Sequence, residues 1–258
     1  MKRRDLLRLA GAGLSAPLFA ATPKGAIIDL RYLRFRYNHD NQLQRASGFL
    51  EKAFLPAMRR AGAGTMGFFS ILIGPESPSI LYVVSYPSLA ALEAVSAKLG
   101  DDKEFQKSLA DYYAIPGLVY MRGEGSLLRA FDGMPGIEPP PVEPGRAPRI
   151  FELRTYESNN IHTLDRKVKM FEEGEIAIFR RVGIRPVFFG RTIVGPRMPN
   201  LTYLTAFDDL ASREKAWATF GADAEWKKMS SQPGVANADI VSNISIAVLR
   251  PLAFSPIR

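Results

Sequence analysis

The sequence predicts an α+β protein built from two tandem copies of one β-α-β-β-α-β unit, which close together into a single α/β barrel. Three observations lead to this prediction: an ungapped internal repeat, the order of strand-like and helix-like patterns in each copy, and a proline-rich segment between the copies. The chain has 258 residues and is 47% hydrophobic, which suffices for a packed core.

The internal repeat relates residues 59–107 to residues 180–228 at a constant offset of 121 positions. About a third of the paired positions are identical, and they include the turns Gly74-Pro75 and Gly195-Pro196. Nearer the start of each copy the offset becomes 123, which indicates two extra residues in the first helix of the first copy or in the loop before it.

A segment rich in proline and glycine separates the copies and predicts an extended spacer, because such a composition continues neither a helix nor a central strand. The resulting division of the chain is a leader (1–22), a first copy (25–131), a linker (132–148) and a second copy (149–251).

Within the second copy, alternation predicts a strand over 149–157, and helical spacing of apolar residues predicts a helix over 163–182. Strands over 187–194 and 201–207, a helix from Leu210 and a last strand over 240–249 follow. This is the ferredoxin-like order. Its helices cover one face of the sheet, so two fused copies are expected to bury their other faces in a barrel with an internal cavity.

The N-terminus has the composition of an export signal. A basic start that includes Arg3 and Arg4 precedes a weakly apolar run and small residues at Ala20 and Ala21. The paired arginines resemble a twin-arginine leader, so we expect export to the periplasm or secretion. A general secretory leader and a cytosolic tail are the alternatives.

The charge and the cysteine content exclude several classes of partner and of metal site. The net charge is +8, but the basic residues are scattered, so no nucleic-acid partner is expected. The chain has no cysteine, which excludes disulfides, thiolate zinc sites and ordinary iron–sulfur clusters. Glu172, Glu173 and Glu175 lie close together on a predicted helix; we interpret them as a solvated face and predict no metal site. No stretch is long and apolar enough for a stable membrane span.

The second copy resembles the NIPSNAP family. The resemblance rests on Phe151-Glu-Leu-Arg-Thr-Tyr156, on Asn200-Leu-Thr-Tyr203, and on the tract from Phe207 to Lys228 with Arg213, Trp217 and Trp226. The first copy is a diverged version, with Leu92, Ser96 and Phe105 at the last three positions. The resemblance implies a dimeric α/β-barrel fold, formed here within one chain, and no assigned reaction.

Strand alternation selects charged residues as candidates for a ligand pocket. Glu152, Arg154 and Tyr156 share one face of a strand, and Asp29 and Arg31 repeat the acid and the arginine in the first copy. If their apolar neighbours face the helices, these side chains point into the barrel and could bind an anionic or carbonyl-bearing ligand. A structural salt bridge is the alternative.

His39 and His162 are the two histidines, and the repeat makes them equivalent. Each stands where the first strand of a copy leads into the first helix, so each is a candidate ligand or base, or a helix cap. No cofactor is expected from the motifs; haem bound by a histidine is the alternative.

These patterns favour an exported NIPSNAP-like protein that binds a small molecule or a protein partner, with homo-oligomerisation open. The alternative is a periplasmic α/β-barrel enzyme, monooxygenase-like or haem-dependent. Phosphate-binding loops, dinucleotide fingerprints and nucleophile elbows are missing from the sequence, and we prefer binding over catalysis.

Overall fold

The computed structural model describes residues 25–258 except 38–40 and Pro144. The predicted leader (1–22) and His39 therefore lie outside the described residues. Within the described part of the chain, no helix has the length and apolar character needed to cross a membrane.

Eight strands form the sheet in the described part of the chain. They are β1 (Ile27–Arg34), β2 (Met66–Ile73), β3 (Ser79–Tyr86), β4 (Arg122–Ala130), β5 (Ile150–Glu157), β6 (Arg185–Val194), β7 (Asn200–Phe207) and β8 (Asn243–Pro251).

Helices follow the first and third strand of each copy. They are α1 (Gln42–Phe49), α2 (Leu55–Ala61), α3 (Leu89–Asp101), α4 (Lys103–Tyr113), α5 (Ile161–Met170), α6 (Ile176–Arg181), α7 (Leu210–Ala222), α8 (Ala224–Ser230) and α9 (Asn237–Ile240). A single π-helical turn joins α1 to α2 (Leu50–Phe54) and α5 to α6 (Phe171–Glu175), at positions that the offset of 121 makes equivalent.

All strand pairs are antiparallel, and the sheet closes on itself in the order β1-β3-β2-β8-β5-β7-β6-β4. Each copy contributes four adjacent strands in the ferredoxin-like order. The copies meet where β2 pairs with β8 and β4 pairs with β6, which are equivalent contacts. The predicted tandem barrel is therefore confirmed, and it leaves none of the eight strands as a free edge.

Side-chain caps fix several helix starts, and the caps of α4 and α8 are equivalent in the two copies. Asp102 accepts a hydrogen bond from the Phe105 N–H at the start of α4, and Asp223 does the same for Trp226 at the start of α8. Asn160 and Thr163 cap the start of α5 reciprocally. Asp209 accepts a hydrogen bond from the Ser212 N–H at the start of α7.

The barrel interior is apolar and packed. Side chains from all eight strands fill it, among them Leu30, Leu128, Leu153, Leu204 and Leu249. Two further cores lie outside the barrel wall, one under the helices of each copy. An eight-stranded barrel has room for little more than its own side chains, which accounts for this filling.

One end of the barrel is closed by the segments that follow β4 and β8. Ile257 is fully buried and packs into the barrel interior, and Ile137 of the linker packs against the same cluster. The Phe131 N–H donates to the Phe189 carbonyl, and the Leu252 N–H donates to the Phe68 carbonyl, which are equivalent contacts in the two copies. The other end, where the β2–β3 and β6–β7 hairpins turn, stays open.

Gly190 on β6 marks a close approach between the two copies. A Cβ atom there would lie 2.8 Å from the Leu128 Cβ on β4, which is fixed to the backbone and cannot rotate away. The equivalent position in the first copy is Phe69, which fills the interior against Phe151, with ring centroids 5.0 Å apart. The two β-strand junctions are thus packed by different side chains.

We expect Gly190→Ala to lower the free energy of unfolding by about 1–3 kcal/mol, because the added methyl group overpacks the junction of β4 and β6. Gly221→Ala is the matched control: nothing lies within 4 Å of the new Cβ, and the residue is in α7, so stability should rise by about 0.5–1 kcal/mol. Urea denaturation of both variants measures the difference. Equal effects would contradict the proposed tight junction.

Candidate functional site

Polarity changes along the axis of the barrel. Going toward the open end, the inward-facing residues of β5 run Phe151, Leu153 and Thr155, and those of β1 run Leu30, Tyr32 and Arg34. The register places Thr155 beside Thr202 and Ser245, so the inward faces of β5, β7 and β8 become polar at the same level. The open end therefore combines an apolar floor with a polar rim.

A cavity of about 440 Å³ lies at this end, and we call it the mouth cavity. It is lined by Leu30, Tyr32, Arg34, Pro75, Glu76, Glu124, Gly125, Ser126, Leu153, Thr155, Pro196, Arg197, Asn200, Thr202, Ser245, Ile246 and Ala247. Its size falls within the range of small-molecule sites in proteins. Both copies contribute equivalent elements to it. The pseudo-two-fold axis that relates the copies runs along the barrel, so the β2–β3 and β6–β7 hairpins lie at the same end.

Two hairpin residues at the rim have left-handed backbones. Glu76 has φ 59° and Arg197 has φ 62°, and the two are equivalent in the repeat. A local side chain braces each carbonyl: the Ser79 hydroxyl donates to the Glu76 carbonyl, and the Asn200 amide donates to the Arg197 carbonyl at 2.9 Å. Such conformations persist when the surroundings fix them, so both tips are held in place.

The carboxylates at the rim are neutralised by arginines of the first copy. Arg34 lies 3.1 Å from Glu76 and 3.1 Å from Glu124, and Arg122 contacts the same two acids at 2.5 Å. Two guanidinium groups thus balance two carboxylates. Arg34 is further fixed by stacking 3.9 Å from the ring of Tyr32.

Arg197 has different surroundings. Its guanidinium donates to the Ser245 hydroxyl at 2.7 Å, and no carboxylate of the described residues lies within ion-pair distance of it.

Tyr32, on the cavity wall, has its pKa raised to about 12 by burial, and the charges of Arg34 and Arg197 only partly offset that rise. The Tyr32 phenol is therefore neutral at physiological pH and can donate a hydrogen bond.

The predicted direction of the strand charges is wrong. Glu152, Arg154 and Tyr156 face the helices, because their apolar neighbours Phe151 and Leu153 occupy the interior. A narrow barrel accepts the apolar face more readily than paired charges, and under the helices other polar groups pair with these charges. Neither Arg154 nor its counterpart in the first copy lines the mouth cavity.

Under the helices of the second copy these residues form a buried polar cluster. Glu152 is fully buried and accepts hydrogen bonds from Arg154 and from Arg213 of α7. The guanidinium of Arg154 lies 3.7 Å from the ring of Trp217, and the Tyr203 hydroxyl donates to that of Tyr156 at 2.9 Å. The cluster is packed, and its charged groups pair with one another.

A second buried ion pair adjoins this cluster. Lys167 and Glu175 are 2.8 Å apart and almost fully buried. Burial raises the pKa of Glu175, and the charges of Lys167 and Arg154 oppose that rise. The interpretation of Glu175 as part of a solvated face is therefore wrong; the π-helical turn rotates it inward beside Lys167.

In the first copy the corresponding residues are less polar. Ala46 and Phe54 replace the buried ion pair, and Leu92 stands where Arg213 does. Asp29 still bonds Arg31 at 2.6 Å, and burial raises the pKa of Asp29 while the hydrogen bond from Arg31 lowers it. The side chain of Arg31 is about half exposed.

His162 does not join these groups. His162 is exposed at the second position of α5 and is not part of the lining of the mouth cavity. His39 lies outside the described residues. The sequence analysis did not select the rim residues Glu76 and Arg197. The repeated Gly-Pro-x-x-Pro turns that carry them are, however, visible in the sequence.

Comparison with known proteins supports the fold. Residues 151–256 match the NIPSNAP family, and residues 32–122 match a domain of unknown function, DUF6854. No curated protein matches the chain.

Two solved structures resemble the whole barrel. A candidate monooxygenase from Fusobacterium nucleatum subsp. nucleatum is 10% identical, with 88% of this chain and 93% of that chain covered and a TM-score of 0.54. A second candidate monooxygenase, from Lactobacillus acidophilus, is 11% identical, with 88% and 94% covered and a TM-score of 0.53. An uncharacterised NIPSNAP-like domain protein from Burkholderia xenovorans is 25% identical over 42% of this chain and 89% of that chain, with a TM-score of 0.38. The first two likenesses show a shared fold.

We expect Lys167→Met to lower the free energy of unfolding by about 3–5 kcal/mol, because it leaves the Glu175 carboxylate buried without its cation. The double variant Lys167→Met/Glu175→Leu should recover most of that loss, as the apolar pair of the first copy suggests. Urea denaturation at pH 7 measures both variants. A double variant as unstable as the single one would contradict this account.

The free energy of unfolding of the single variant Lys167→Met should depend on pH. Without Lys167 the raised pKa of Glu175 rises further, so the folded state binds a proton that the unfolded state releases. Its deficit relative to the parent chain should therefore be smaller at pH 5 than at pH 8.

Proposed function

We propose that the chain is an exported binding protein of the NIPSNAP type, and that the mouth cavity holds a small molecule. The observation that carries the proposal is the change from apolar floor to polar rim within one cavity of about 440 Å³. Sites for small molecules combine apolar walls with a few fixed polar groups in this way.

Two further features support the mouth cavity over other concavities. It lies between the two copies and takes its rim from the braced, left-handed residues Glu76 and Arg197. A concavity of similar size beside α5 and α8 is lined mainly by lysine, arginine, glutamate and methionine side chains, and none of its lining residues has a left-handed backbone. Fixed polar groups favour a specific ligand because less conformational entropy is lost on binding.

A periplasmic enzyme of the monooxygenase-like or haem-dependent kind is the alternative. The shared barrel fold of the two candidate monooxygenases is compatible with it. However, His162 lies away from the mouth cavity, so no histidine among the described residues lines it as a ligand for haem. A protein partner and homo-oligomerisation stay predictions.

The binding proposal can be tested with N-phenyl-1-naphthylamine. This neutral, apolar dye fluoresces more strongly when it moves from water into an apolar site. We expect saturable binding at one site and loss of at least about tenfold in affinity in Ala247→Phe, since the ring fills the floor of the cavity. Ala211→Phe on the exposed face of α7 is the matched control and should bind as the parent chain does.

Because Ala247 is nearly buried, a second filling variant, Thr155→Phe, guards against a folding defect. Circular dichroism confirms that each variant folds. Unchanged dye binding in both folded filling variants would show that the mouth cavity is not the site.

Export is a separate proposal and rests on the leader composition. We expect that replacing Arg3 and Arg4 together by lysine stops export of the full chain, because the twin-arginine route reads that pair. Arg8→Lys is the control and should be exported normally. Cell fractionation followed by immunoblotting measures both. Continued export of the double variant would instead indicate the general secretory route, and cytosolic parent chain would refute export altogether.

A further inference from the structure

We infer that the ligand of the mouth cavity is an amphipathic anion, and that the guanidinium of Arg197 binds its anionic group. This inference rests on the proposed function and adds the chemical class of the ligand. The apolar part of the molecule would lie on the floor formed by Leu30, Leu153 and Ala247.

The charge balance of the rim indicates that Arg197 is the cation available to bind an anion. The two carboxylates that line the cavity, Glu76 and Glu124, are shared between Arg34 and Arg122. These four groups neutralise one another, and an incoming anion would have to compete with carboxylates that are already hydrogen-bonded. Arg197 offers a cation whose one described side-chain partner is a neutral hydroxyl, so an anion gains a charge-assisted hydrogen bond without displacing an acid.

The backbone keeps this guanidinium at the cavity. The Asn200 side chain is nearly fully buried and donates to the carbonyls of Pro196 and Arg197, each at 2.9 Å. Its own amide oxygen accepts from the Thr192 hydroxyl at 2.5 Å, which fixes the orientation of the amide. This brace fixes the backbone of Arg197, and the hydrogen bond to Ser245 holds the guanidinium at the cavity before the ligand arrives, which lowers the entropic cost of binding.

Neutral donors and acceptors surround the same point. The hydroxyls of Thr155 and Thr202 lie 2.9 Å apart on the cavity wall, and Ser245 contacts Arg197 directly. With the neutral phenol of Tyr32 they can complete the hydrogen bonds of a carboxylate or sulfonate. Below them the wall is apolar, so a molecule with an anionic head and a hydrocarbon body matches the cavity at both levels.

A matched pair of dyes tests the inference. 8-Anilinonaphthalene-1-sulfonate has the ring system of N-phenyl-1-naphthylamine with one added sulfonate, which stands in for the anionic head. We expect Arg197→Gln to weaken binding of the sulfonate dye by about tenfold and to leave binding of the neutral dye within about twofold. Arg197→Lys keeps the charge and should retain an intermediate affinity for the sulfonate dye.

Arg191→Gln is the matched control. This arginine is on the same hairpin but forms an ion pair with Asp165 outside the cavity, at 2.5 Å, so its loss should leave both dyes unaffected. Equal effects of Arg197→Gln on the two dyes, or no effect on either, would overturn the inference while the proposed function still stands. If neither dye responds to Ala247→Phe or Thr155→Phe, the proposed function fails first.

Discussion

The closure of eight antiparallel strands into a barrel is the constraint on which the rest of the structure depends. A four-stranded ferredoxin-like sheet has helices on one face, and its other face and both edges need partners. The pairs β2–β8 and β4–β6 supply those partners for both copies at once. Because each copy completes the other, we do not expect either half to fold stably by itself.

Closure also decides where polar groups can be placed. The interior of an eight-stranded barrel holds apolar side chains at its closed end, where Ile257 and Ile137 complete the packing, so polar residues can face inward only near the open end. The charged residues of the strands that cannot be accommodated inside turn toward the helices, where Arg213 and Trp217 satisfy Glu152 and Arg154. One geometric limit thus accounts for both the mouth cavity and the buried polar cluster.

The repeat, the element order and the barrel could be predicted from the sequence because each depends on periodicities that one chain displays. The direction of the β5 charges could not, because alternation separates two faces without saying which is inside. Glu175 was misplaced for a similar reason: a π-helical turn shifts the helical phase, and Lys167 lies eight positions away, beyond the reach of simple helical pairing. The rim residues needed the three-dimensional register of both hairpins.

Fusion of the two copies permits an asymmetry that a symmetric dimer of one copy could not have. Equivalent tips in such a dimer would carry the same charge, and the two would repel or bind the same counterion. Here Glu76 forms ion pairs with Arg34 and Arg122, while Arg197 donates a hydrogen bond to the Ser245 hydroxyl. The copies have also diverged inside the barrel, where Phe69 matches Gly190. Divergence at both levels gives the cavity one cationic side, so a ligand with a single charged end has one preferred orientation in it.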